Sequence, residues 1–144
     1  MGDFSLAFKQ INDKTDKQLN RIIKKTVFDL TSSIIQGSPT DTGRFRGNWQ
    51  VSFDTPTDRE LSNLDKSGNA TISKIGTQIN SNKIPLVYWI NNNLPYGNSL
   101  EYGLYPKNSK TGKTINGFSV QAPMGFVRIN VSRFNNFLKD NTKG

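Results

Sequence analysis

Apolar residues from Ser5 to Gln36 fall at Phe8, Ile11, Leu19, Ile22, Ile23, Leu30 and Ile34, with Thr15 and Thr26 filling the same stripe. Lys9, Lys14, Lys17, Arg21, Lys24 and Lys25 lie mostly off it. Steps of three and four predict a long amphipathic helix of about 30 residues. Gly37 and Pro39 end it, the glycine as a left-handed stop and the proline as a block to continuation. Trp49, Val51 and Phe53 then alternate with Asn48, Gln50 and Ser52, the period of a half-buried strand that Thr55-Pro56-Thr57 closes. After a polar stretch from Asp58 to Asn69, Ile72, Ile75 and Ile79 return at helical spacing and predict a short helix over roughly Ala70 to Asn80.

The run Leu86-Val87-Tyr88-Trp89-Ile90 predicts a second strand, Leu86 to Asn92, buried on both faces with Pro85 confined to its start. Asn93 to Gly97 reads as a turn, and Asn98 to Tyr102 as one helical turn closed by Gly103. Tyr105 to Asn116 has no apolar period and is expected to be a mobile loop. Phe118 to Val120 suits a short strand. Beyond Pro123, the steps Met124, Val127, Val131, Phe134 and Leu138 predict a second long helix that frays from Asp140.

A chain of 144 residues suits one domain, here 1–144. Apolar residues make up only 33% of it, against about 45–50% in ordinary globular chains, so the core is expected to be thin or completed by neighbouring subunits. A long helix in so small a chain points the same way, to packing along a ring. The charge is lopsided, 19 Lys and Arg against 11 Asp and Glu for a net +8, which favours association with nucleic acid or an acidic protein surface. There is no Cys and no His, which removes disulfides, thiolate metal sites, Cys nucleophiles and the commonest general base. Most reaction classes become hard to stage. No apolar run approaches a membrane span or signal core, so a soluble setting with no membrane partner is expected.

Three segments stand out for chemistry. In Pro39-Thr40-Asp41-Thr42-Gly43-Arg44-Phe45-Arg46, Asp41 and Thr42 are placed to brace a turn and Gly43 to take a positive φ. One carboxylate without a partner cannot run acid–base work, so a helix-to-strand connector is the plainer reading. Arg44 and Arg46 fall on one side of an extended chain, suited to a carboxylate or phosphate on a neighbour more than to DNA. In Asn91 to Gly103, Glu101 is the only acid between Asp65 and Asp140 and is expected to pair with a Lys or Arg. The neutral amides of Asn91, Asn92 and Asn93 do not make a metal site. Lys107-Asn108-Ser109-Lys110-Thr111-Gly112-Lys113 echoes a phosphate loop, but it lacks the first glycine and no helix follows, so no nucleotide site is read there. Lys107, Lys110 and Lys113 suit either loose contact with a phosphate backbone or a loop that orders on assembly.

Three separated segments together resemble the tail-completion or neck proteins of tailed bacteriophages. They are Ser38 to Arg46 after a long helix, Asn93-Leu94-Pro95-Tyr96 leading to Leu100-Glu101-Tyr102-Gly103, and Gln121 to Arg128 opening the last helix. The lysine-bearing segment between Gly103 and Phe118 and the Asn-rich composition depart from that pattern. The resemblance implies an α+β fold in which a small antiparallel sheet packs with a long N-terminal helix, a short middle helix and a C-terminal helix, in agreement with the elements above. It also implies a homo-oligomeric ring, six-fold or twelve-fold, between the portal or adaptor protein of the head and the tail tube or tail terminator protein, with genomic DNA passing through.

On that reading Asp41, Thr42, Gly43, Pro95, Tyr96, Glu101, Tyr102, Gly103 and Pro123 are structural. Arg44, Arg46, Lys107, Lys110, Lys113 and Arg128 are candidates to face another subunit or DNA. No residue is expected to be catalytic, to bind a cofactor or to hold a metal. The alternatives are a terminator ring capping the tail tube and, from a different class, a free basic nucleic-acid-binding protein with steeply salt-dependent affinity. An enzyme ranks third.

Overall fold

The computed structural model describes residues 15–107 and 111–143, and they form an α+β fold. Helix α1 spans Asp16–Gly37. Thr15 is its cap and not part of its stripe: the Thr15 hydroxyl accepts from the Gln18 N–H, and the Gln18 side-chain oxygen accepts from the Thr15 N–H. A single helix running from Ser5 through Thr15 is therefore corrected to one that starts at Asp16; residues 5–14 lie outside the described residues. Ile22, Thr26, Thr31, Ile34 and Ile35 are buried along α1. The two threonines satisfy their hydroxyls by donating to the carbonyls of Ile22 and Val27, each at 2.7 Å. Gly37 is the last helical residue and is not left-handed. The stop is at Ser38, which turns extended (φ −71°, ψ 141°) because the ring of Pro39 disfavours helical geometry in the residue before it.

A helical turn α2, Arg44–Gly47, stands where an extended connector was expected. Strand β1, Trp49–Phe53, pairs antiparallel with β2, Tyr88–Asn92, with Val51 opposite Ile90. Trp49 and Val51 face the core. The opposite face, expected to be open, is closed at its start: Asn48 is 0% and Gln50 8% exposed, held under the segment 59–61 by hydrogen bonds to Arg59 and Leu61. Strand β2 is shorter than its apolar run. Leu86 is 98% exposed, and Val87 and Trp89 are also exposed. Burial on both faces needs segments packed above and below the strand, and among the described residues none packs over Leu86.

Helix α3, Asn69–Ser81, matches the isoleucine spacing, and buries Thr71, Ile75 and Ile79. Helix α4, Gly97–Tyr102, is capped by Gly103 at φ 66°. The segment expected to be a structureless loop ends in a tight hairpin, β3 Thr114–Ile115 with β4 Phe118–Ser119. Asn116 and Gly117 both take positive φ, the two-residue turn whose twist matches its strands.

The last predicted helix is instead two short ones, α5 Arg128–Val131 and α6 Phe134–Thr142. Met124 and Val131 are exposed and not part of a buried stripe. Gly125, at φ 81°, delays the helix start, and the Arg133 N–H bonds back three residues to the Asn130 carbonyl, so α6 begins anew. α6 returns to α1 through the Asn141 amide, which donates to Asp29 at 3.0 Å and Thr26 at 3.2 Å. One apolar cluster, including Ile35, Phe45, Trp49, Val51, Ile75, Leu100 and Phe126, joins the helices to the sheet.

Candidate functional site

The segments 38–46, 93–103 and 121–128 converge on one ring. The Phe45 ring lies 5.9 Å from Trp49, 5.7 Å from Tyr96 and 5.3 Å from Phe126, two of these contacts edge-to-face. Gln121 ties the first segment to the third: its side-chain oxygen accepts from the Thr40 N–H at 2.8 Å and its amide donates to the Thr40 carbonyl at 2.6 Å. The Ser38 hydroxyl accepts from the Trp49 indole N–H at 2.9 Å and donates to the Ile34 carbonyl at 2.7 Å.

Glu101 is the electrostatic centre of this junction. Its buried carboxylate accepts the backbone N–H groups of Phe126 and Val127, both at 2.8 Å, and of Arg128 at 2.9 Å. The Arg128 Nε adds a fourth bond at 3.0 Å, and its Nη2 donates to the Glu101 carbonyl at 2.9 Å. The guanidinium also sits over the Tyr102 ring, 4.6 Å from its centre. Gly125 permits this approach, since a Cβ there would lie 2.8 Å from the Glu101 carbonyl oxygen. Burial pushes the Glu101 carboxyl up, but the amide and Arg128 hydrogen bonds outweigh it and hold it below its ordinary value. Every lone-pair direction is occupied from within the chain, so this carboxylate acts as a clamp and is not poised as a base.

Gly43 does adopt a positive φ, 88°, and its carbonyl accepts from Gly47 and Asp65. The Thr42 hydroxyl accepts from the Arg44 N–H at 3.3 Å. Arg46 is committed within the chain: its guanidinium donates to the carbonyls of Ser38, Lys66 and Gln36 at 2.8–2.9 Å. Arg44 reaches Glu60 at 3.5 Å from an exposed position on the helical turn. Lys113 pairs with Asp41 at 3.2 Å, both exposed, across an open groove of about 650 Å³ that Phe45, Tyr96 and Val120 also line. Lys107 and Pro95 are exposed, Pro123 makes a backbone bridge to Gly125, and Lys110 lies outside the described residues.

Sequence reasoning missed three polar anchors. Asn48 donates to the carbonyls of Arg44 and Leu61 and accepts from the Leu61 N–H. Asp54, at φ 68°, accepts from the N–H groups of Leu86 and Val87 and so fixes the exposed end of the β2 segment. Asp65 accepts from the N–H groups of Gly68 and Thr71 and from the Thr71 hydroxyl at the start of α3. An Asp shortly before a helical pattern was the one local signal among them. Among the described residues no group of His, Cys, Asp and Glu is arranged to hold a metal, and no helix is long and apolar enough to cross a membrane.

A chain whose buried charge is committed to its own backbone while large apolar side chains stay on its surface has the character of a structural assembly component. The family described as "Bacteriophage HK97-gp10, putative tail-component" matches residues 3–103, more than half of the sequence, and the chain belongs to this HK97-gp10-like family of phage tail components. That assignment accords with the resemblance to tail-completion and neck proteins and makes the chain a structural part of the virion, in contact with other tail or head proteins. No curated protein and no solved structure matches it significantly. The matched span holds the first two of the three segments and stops before the third, which Glu101 binds to it.

Proposed function

We propose that the chain, acting as one head-to-tail joining domain, forms a homo-oligomeric ring of six or twelve copies at the neck of the virion. The ring lies between the portal or adaptor protein and the tail tube or its terminator, genomic DNA passes through it, and the chain performs no catalysis. The observation that supports assembly most is the exposed row Leu86, Val87 and Trp89 at one end of the sheet. Large apolar side chains grouped on the surface of a chain with so small an apolar share mark a contact surface. The row is also rigidly presented, by the Asp54 carboxylate and by the Trp89 indole N–H donating to the Asp54 carbonyl at 3.0 Å.

Electron microscopy of particles assembled without this protein tests the position. Filled heads beside separate, complete tails are expected. Overlong tails would move the ring to the tail end as a terminator, and normal virions would remove it from the joint altogether.

A further inference from the structure

The positive charge of α1 is concentrated in its N-terminal half. Lys17, Arg21 and Lys24 recur at i, i+4 and i+7 on one face, and Lys25 adds a fourth cation in the same N-terminal part; the last turn carries no basic residue. Like charges three or four residues apart on a helix repel. Lys25 is relieved by Asp29, 2.6 Å away. Lys24 donates to the Asn80 carbonyl at 3.1 Å and keeps two further N–H donors. Lys17 and Arg21 make no ion pair among the described residues. Cations crowded on one helix face, two of them with no counter-ion among the described residues, point to an external partner.

These cations line one wall of a groove of about 490 Å³ between α1 and α3. Asn20 and Asn80 contribute amides, and Gly76 lets α3 approach the Phe28 ring, which a Cβ at that position would meet at 2.9 Å. Among the described residues no carboxylate lines the groove. We propose that this groove is a sequence-blind binding surface for the phosphate backbone of DNA. The source of that DNA rests on the neck reading, in which the genome crosses the ring. Four cations along one wall, with no described carboxylate beside them, match the strongly positive character of nucleic-acid interfaces. The Lys107 to Lys113 loop is less suited, because Lys113 already pairs with Asp41.

The test is fluorescence anisotropy of the purified full chain with a short duplex of arbitrary sequence over a series of salt concentrations. Lys17→Ala, Arg21→Ala and Lys24→Ala are combined in one variant, and Lys66→Ala, Lys83→Ala and Lys143→Ala in a charge-matched control. If the groove holds phosphates, the slope of log K against log salt falls by about 2–3 in the groove variant, near 0.9 per lost contact, and by less than one in the control. Melting curves should show the groove variant at least as stable as the parent, because repulsion within α1 is relieved. Equal slopes for the two variants overturn the proposal. So does a groove variant that binds DNA normally but no longer assembles, which would make the groove a subunit interface. Overlong tails in the absence of the protein would instead sink the neck position and leave the measured DNA slopes standing.

Discussion

The Glu101 carboxylate lies 3.0 Å from the Arg128 Nε while three successive backbone amides, 126 to 128, close on the same two oxygens. This relationship ties the end of α4 to the start of α5 and fixes Phe126 against Phe45 and Trp49. Replacing Glu101 by Gln keeps the shape, removes the charge and turns one acceptor into a donor facing N–H groups. The expected loss is about 3 kcal/mol, at the lower end for buried charged partners because Arg128 stays half exposed. Thermal denaturation should show a fall in Tm of roughly 10 °C. An unchanged Tm would show that the clamp contributes nothing.

The same clamp predicts an acid dependence. Glu101 and Asp65 are both held below their ordinary values of 4.5 and 3.8; in each, burial pushes up and hydrogen bonds more than offset it. A depressed carboxylate contributes stability that is fully present above its unfolded pKa and lost as pH falls through its folded pKa. Stability should therefore decline below about pH 5. Urea midpoints between about pH 5 and 3 should fall less steeply for Glu101→Gln than for the parent, since the variant has no proton to gain there.

Gly43 and Gly112 separate two costs of adding a side chain. Both take positive φ, 88° and 70°, but a Cβ at Gly43 would lie 2.5 Å from the Lys66 backbone nitrogen, while at Gly112 it meets nothing within 4 Å among the described residues. Gly112→Ala should cost about 1 kcal/mol, the backbone term alone. Gly43→Ala should cost at least about 3 kcal/mol, because backbone, unlike a flexible side chain, cannot step aside. Similar urea midpoints for the two variants would contradict the tight turn.

Asn48→Ala should cost about 2–4 kcal/mol, since it strands the carbonyls of Arg44 and Leu61 and the Leu61 N–H. Amide hydrogen exchange should accelerate at Leu61, and retained protection there would argue against the anchor.

Leu86→Ser should leave the fold alone, within about 0.5 kcal/mol, because the side chain is almost wholly in solvent. Its effect should appear in assembly. Sedimentation velocity is expected to show weaker self-association than the parent, and an unchanged association constant would exclude the row as a contact.

Elements whose pattern is local were legible in the sequence: Ile72, Ile75 and Ile79 mark α3, Trp49, Val51 and Phe53 mark β1, and Gly103 closes α4. The Asn116-Gly117 turn was equally local and was hidden only by the polar composition around it. Burial was not legible. Leu86 and Met124 carry the same apolar character as Ile35, yet they are exposed and Ile35 is buried, because burial depends on what distant segments bring to the site. The same reason governs charge. Arg46 and Arg21 are alike in the sequence, but the chain folds three carbonyls around Arg46 and no counter-ion among the described residues beside Arg21. Periodicity and turn chemistry act over a few residues and so determined the elements, whereas the partners of Glu101, Asn48 and Phe45 lie across the chain and only tertiary packing decided them.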